Sequence, residues 1–71
     1  RSFPNAEVDS VILGNHTYIT MLQKFEDYEI LFVETIKSGY NVRFQAYSNG
    51  KTFVEEEKQE FYEIIKSVQL S

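Results

Sequence analysis

The chain has 71 residues, 42% of them hydrophobic and 25% charged, which fits one small folded domain and excludes collagen-like and disordered classes. It has no cysteine and one histidine, His16, so disulfides, thiol nucleophiles and a structural zinc centre, which takes four Cys or His ligands, are excluded. Eleven acids against seven bases leave a formal net charge of −4, and the bases stand singly along the chain, which disfavours a phosphate-binding surface for DNA or RNA.

A domain this small buries only about 60% of the surface its unfolded chain exposes. Without covalent or metal staples, partners and oligomerisation are the remaining means of stabilising it. Six Phe and five Tyr fill a thin core with few residues. The longest apolar run is Ile30 to Val33, far short of the roughly 20 residues that span a bilayer. The chain starts at Arg1 with no signal-peptide pattern behind it, and reads as a processed product or a piece of something longer.

Arg1 to Ala6, with Pro4, reads as a loose lead-in. Strands are predicted over Glu7–Leu13, His16–Lys24, Tyr28–Lys37 and Tyr40–Ser48, punctuated by Gly14, Gly39 and Gly50, residues suited to turns that need positive φ. Gly14-Asn15 and Ser38-Gly39 each suit a two-residue hairpin loop. The second loop pairs Val33 with Phe44, Thr35 with Val42, Leu31 with Ala46 and, on the opposite face, Glu34 with Arg43. A one-residue slip sets Glu34 against Phe44, so apolar and charged pairs together favour the first register. A turn at Glu26-Asp27 sets Lys24 beside Glu29 and Leu22 beside Leu31. The result is a four-stranded antiparallel meander.

After the Asn49-Gly50 turn, Thr52 and Glu55 form an S/T-x-x-E capping box, and a helix is expected over Phe53–Val68. Phe61, Ile64, Ile65 and Val68 follow the i, i+3, i+4, i+7 spacing of a buried face, with Val54 on the same side. This helix covers the sheet face carrying Leu31, Val33, Val42, Phe44 and Ala46. The other face carries Met21, Ile30, Phe32, Ile36 and Tyr47, interrupted by Glu34, Asn41, Arg43 and Gln45. Strand three, with Ile30-Leu31-Phe32-Val33, is apolar on both sides, as in a strand buried from two directions. Met21, Ile30, Phe32, Ile36 and Tyr47 are therefore the candidate interface, facing a second copy, a partner protein or a segment outside this chain.

Other candidate sites have plainer readings. His16 has no nucleophile or carboxylate in a recognisable motif, and reads as a half-exposed residue beside a turn. The helix acids diverge from one another, whereas calcium needs six to eight converging oxygens. Acids at the helix start complement its macrodipole, and Glu63 can pair with Lys66. Glu56, Glu60 and Glu63 still form an acidic stripe that a basic partner surface would fit. The five Tyr residues read as sheet and rim positions with hydroxyls in water. No phosphate-binding glycine loop or nucleophile elbow occurs, and no cofactor is expected.

Ser38-Gly39-Tyr40-Asn41-Val42-Arg43-Phe44-Gln45-Ala46-Tyr47-Ser48, followed by a polar turn and Phe61 with Ile64-Ile65 and Ser67-Val68, resembles the C-terminal end of PsbP-like domains. The likeness covers about thirty residues, and its motif is a packing pattern. It implies a sheet sandwiched between helices, in a domain about twice this length whose N-terminal part would cover the second face. It implies no catalytic, cofactor or metal residues, and a binding or assembly role in an extracytoplasmic bacterial setting.

The sequence thus predicts an α+β fold, a four-stranded meander with one C-terminal helix on one face, as a single small domain or the C-terminal portion of a larger sandwich. The expected function is a non-enzymatic binding or assembly module whose second face is covered by another copy, a partner or a missing segment. The alternative is a small acidic inhibitor or immunity-type protein using Glu56, Glu60 and Glu63.

Overall fold

Alternation in the first four patterned stretches gives four strands, and the 3.6-residue period of the last gives a helix. In the computed structural model, which describes residues 6–68, these are β1 (Ala6–Leu13), β2 (His16–Lys24), β3 (Glu29–Lys37), β4 (Tyr40–Tyr47) and α1 (Glu55–Ser67). The lead-in expected over Arg1 to Ala6 falls outside the described residues except for Ala6, which opens β1. The strands form one antiparallel sheet in the order β1-β2-β3-β4.

Both predicted hairpin loops are present, for a backbone reason. Gly14 sits at φ +64°, and Ser38 and Gly39 sit at φ 55° and 80°. Positive φ at the first, or at both, loop residues gives the turns whose twist matches that of paired strands. The predicted registers follow. Val33 faces Phe44, Thr35 faces Val42, Leu31 faces Ala46 and Glu34 faces Arg43. Lys24 faces Glu29 and Leu22 faces Leu31.

The helix begins two residues later than its sequence signal. Val54 is the N-cap, so the Thr52–Glu55 box does not form. Glu57 occupies the third helical position instead, where its carboxylate accepts the N–H of Val54 at 2.9 Å and of Asn49 at 3.0 Å. Valine has no side-chain acceptor, so only this half of a capping box exists. The neighbouring Phe53 N–H donates to the Glu29 carboxylate at 2.8 Å, which holds Phe53 outside the helix. Glu55, Glu56 and Glu57 in the first turn and Lys66 in the last complement the macrodipole.

The core lies between the helix and one sheet face, as predicted. Leu13, Tyr18, Leu31, Val33 and Ile65 form its buried cluster, with Phe44, Phe53, Phe61 and Tyr62 packed around it. Val33 and Ile65 are essentially solvent-free, each burial contributing about 1.5–3 kcal/mol. Two expectations are corrected here. The helix stripe facing the sheet is Lys58, Phe61, Tyr62 and Ile65, whereas Ile64, Val68 and Val54 stay largely exposed. Tyr18 is a core residue, 2% exposed, rather than a rim residue. Its ring meets Phe44 edge-on at 6.5 Å.

Candidate functional site

Alternation along the registered strands places Val8 and Ile12 of β1, Ile19 and Met21 of β2, and Phe32 and Ile36 of β3 on the sheet face away from the helix. A half-solvated antiparallel sheet normally shows polar residues there. Val8, Ile12 and Ile36 are instead each about 70% exposed, and Ile19 is 54% exposed.

The face is also indented at one end. Pairing between β2 and β3 stops at Ile19 and Glu34, while each outer hairpin stays paired to its turn, through Leu13–His16 and Lys37–Tyr40. The two hairpin ends therefore diverge. The Thr35 hydroxyl spans the fork by donating to the Thr17 carbonyl at 3.0 Å. A groove of about 530 Å³ opens beside this fork, walled by Val8, Ile19, Met21, Phe32 and Ile36 with Glu34 and Asn41 at its polar end. The groove is open to solvent and its lining is mainly apolar.

The polar end is internally satisfied. The Arg43 Nε donates to the Glu34 Oε2 at 2.9 Å, and the Asn41 side-chain amide reaches the Glu34 Oε1 at 3.4 Å. The Arg43 guanidinium also lies over the Phe32 ring, 5.4 Å from its centroid, a cation–π arrangement that tethers the ion pair to the groove wall. By alternation, Glu34 and Arg43 are the only charged side chains on this face among the described strands.

At the opposite end of the sheet, Phe25 stacks on Tyr28 with centroids 4.9 Å apart, and Tyr28 lies 6.0 Å from Tyr47. All three rings are more than a third exposed.

Of the five residues expected at an interface, Met21, Phe32 and Ile36 come together in the groove and Tyr47 belongs to the aromatic trio. Ile30 faces the same side but is only 9% exposed, opposite Tyr47 in the register, and offers almost no surface. Val8, Ile12 and Ile19 extend the patch and were missed. Their signal was available as period-two spacing in phase with Met21 across the first hairpin.

The acidic stripe is split. Glu63 pairs with Lys66 at 2.9 Å. Glu56 and Glu60 form no ion pair among the described residues and border a shallow depression with Gly50, Thr52 and Val54. His16 lies edge-on to Tyr18 at 6.3 Å, and among the described residues its side chain takes part in no hydrogen bond. No group of three or more His, Asp or Glu side chains there could hold a metal ion, and no helix there is long and apolar enough to cross a membrane.

One carboxylate overlooked in the sequence has a structural task. Glu29 is 4% exposed. Its backbone N–H donates to the Ser48 hydroxyl at 2.9 Å, its carbonyl accepts the Ser48 N–H at 2.9 Å, and its carboxylate holds Phe53. It joins β3 to the connection that leads into the helix.

Comparisons of the chain with protein-family models, with characterised proteins and with solved structures give no match.

Proposed function

We propose that the chain is a non-enzymatic binding or assembly module whose working surface is the uncovered sheet face. The observation that carries this reading is the groove lined by Val8, Ile19, Met21, Phe32 and Ile36. An exposed, contiguous apolar patch rimmed by polar residues is characteristic of surfaces that dock another macromolecule. Its polar end supplies orientation, because the Glu34–Arg43 pair presents a fixed dipole at one side of an otherwise featureless wall. The likeness of the last hairpin and helix to PsbP-like domains is in keeping with an assembly role and adds no chemistry.

Nile red, a neutral dye that brightens in apolar surroundings, tests the surface directly. The full chain at low micromolar concentration enhances its emission, and Ile36→Lys or Phe32→Glu abolishes the enhancement, while Glu60→Lys leaves it intact. Emission that stays at the free-dye level at a concentration where the chain is monomeric refutes the reading. An acidic inhibitor acting through Glu56 and Glu60 is the second reading, supported by their position on one shallow depression. It is weakened because Glu63 is already engaged by Lys66. Binding to a basic protein such as lysozyme that collapses with added salt would support it.

A further inference from the structure

We infer that the occupant of the uncovered face is a second copy of this chain, stacked face to face about a twofold axis so that two sheets form the inner layers of an α-β-β-α sandwich. This rests on the reading of that face as a docking surface and specifies what docks there. Three observations favour the second copy.

The first is charge. The chain carries a formal net charge of −4, which opposes self-association through most of its surface. The uncovered face, however, holds one acid and one base, and these neutralise each other in the Glu34–Arg43 pair. The acidic helix lies on the far side of the sheet, so stacking sets the two helices at the outermost layers, as far apart as the fold allows. A partner selected by charge would find nothing complementary on this face, whereas an identical neutral apolar surface fits it. A twofold contact uses the same patch on both chains.

The second is area. Four strands about 4.8 Å apart and about eight residues long at about 3.3 Å each project roughly 500 Å². The corrugated accessible surface of such a face is of the order of the 800 Å² or so that each partner contributes to a standard interface. Sheets stack about 10 Å apart through interleaved side chains, and Ile12, Ile19 and Ile36, standing more than half exposed, are long enough to interleave.

The third is the state of one alternative contact, the β1 edge. The Asp9 carboxylate takes the N–H of its neighbour Ser10 at 2.8 Å, so that donor is not open to an added strand. Glu7 is paired with Lys24 at 2.8 Å, but antiparallel pairing of two β1 edges would still bring the Asp9 carboxylates of the two copies close, a repulsion of the kind that protects sheet edges.

Sedimentation velocity of the full chain from micromolar to submillimolar concentration tests the inference. The expected result is a concentration-dependent doubling of mass. Ile36→Lys, at a side chain 72% exposed and therefore without a folding penalty, weakens association by at least about tenfold, the range of a central interface position. Phe32→Glu does the same, with circular dichroism confirming that the variant is folded. Ile64→Lys, at a comparably exposed apolar residue on the helix, leaves association unchanged. A dimer indifferent to Ile36→Lys and Phe32→Glu overturns the stacked arrangement. A monomer at every concentration overturns the second copy. Nile red then separates the two readings: enhancement lost in Ile36→Lys keeps the docking surface and assigns it a different partner, and absence of enhancement removes both.

Discussion

Replacing Glu29 by Ala removes the acceptor of the 2.8 Å bond from the Phe53 N–H and leaves that part-buried donor without a partner. A hydrogen bond to a charged group contributes about 1.5–3 kcal/mol, and an orphaned buried donor costs about 1–3 kcal/mol. These are two views of one loss, so the expected destabilisation is about 2–3 kcal/mol, with the buried aliphatic stem of Glu29 placing it toward the upper end. Glu29→Gln keeps the stem and a carbonyl oxygen at the same reach, and is expected to cost less than about 1 kcal/mol. In a domain of this size each kcal/mol moves Tm by about 4–8 °C, so the alanine variant melts roughly 10–20 °C lower. Circular dichroism during thermal and urea unfolding reads both variants, an unchanged m-value showing that stability alone has changed. Hydrogen exchange at Phe53 gives a local readout, with protection lost in Ala and retained in Gln. Equal losses for Ala and Gln would refute the acceptor role, and losses below about 0.5 kcal/mol for both, as at an ordinary surface site, would refute the clamp altogether.

Ile65→Ala is expected to cost about 3 kcal/mol and Ile64→Ala less than about 0.5 kcal/mol in urea unfolding, a contrast that reverses if the helix rests on the stripe read from its sequence. Glu57→Ala, which strips two backbone N–H groups of their acceptor, is expected to cost about 1–2 kcal/mol, against less than about 0.5 kcal/mol for Glu55→Ala. Ser38→Asn, at φ 55°, is expected to raise stability by about 0.5 kcal/mol, since Asn tolerates left-handed backbone better; a loss would show that Ser38 has a role beyond the turn. Burial, and then the Glu55 and Asp9 carboxylates, raise the Tyr62 phenol above its usual 10.0. The unfolded phenol therefore ionises first. Its contribution to stability is intact below about pH 10 and declines as pH rises through the folded value. Tyr62→Phe flattens that alkaline decline in unfolding measurements, and an unchanged slope would contradict the assignment.

The sheet was legible because two-residue loops and period-two alternation leave almost no freedom in register. Once Val33 faces Phe44 and Glu34 faces Arg43, every other β3–β4 pair is determined. The helix was less legible because its boundary and rotation depend on tertiary contacts. Thr52–Glu55 and Val54–Glu57 compete to start it, and only the former has the sequence signature of a box. Phe53, pinned by Glu29 from twenty-four residues away, and Asn49, pinned by Glu57, decide for the later start. The same ties orient the axis so that the Tyr62 ring, with its larger apolar body, takes the inward position that spacing had given to Ile64. The groove was half legible. Met21, Phe32 and Ile36 could be placed by alternation, but its depth comes from the divergence of the two hairpins beyond Ile19 and Glu34, and local pattern does not encode where twist ends a pairing.

Every strand pairs with its neighbour in the chain, so each hairpin closes through a loop of only a few residues. Low contact order of this kind favours rapid formation of the sheet. The helix has no such local partner: it is tethered to the meander chiefly through Glu29, Ser48 and the packing of Ile65. The α1 amides are therefore expected to exchange hydrogen faster than those of β2 and β3, through local opening of the helix. During such an opening the face carrying Leu31 and Val33 is bare, and the covalent order of the chain returns its own helix to that side before any second molecule can compete for it.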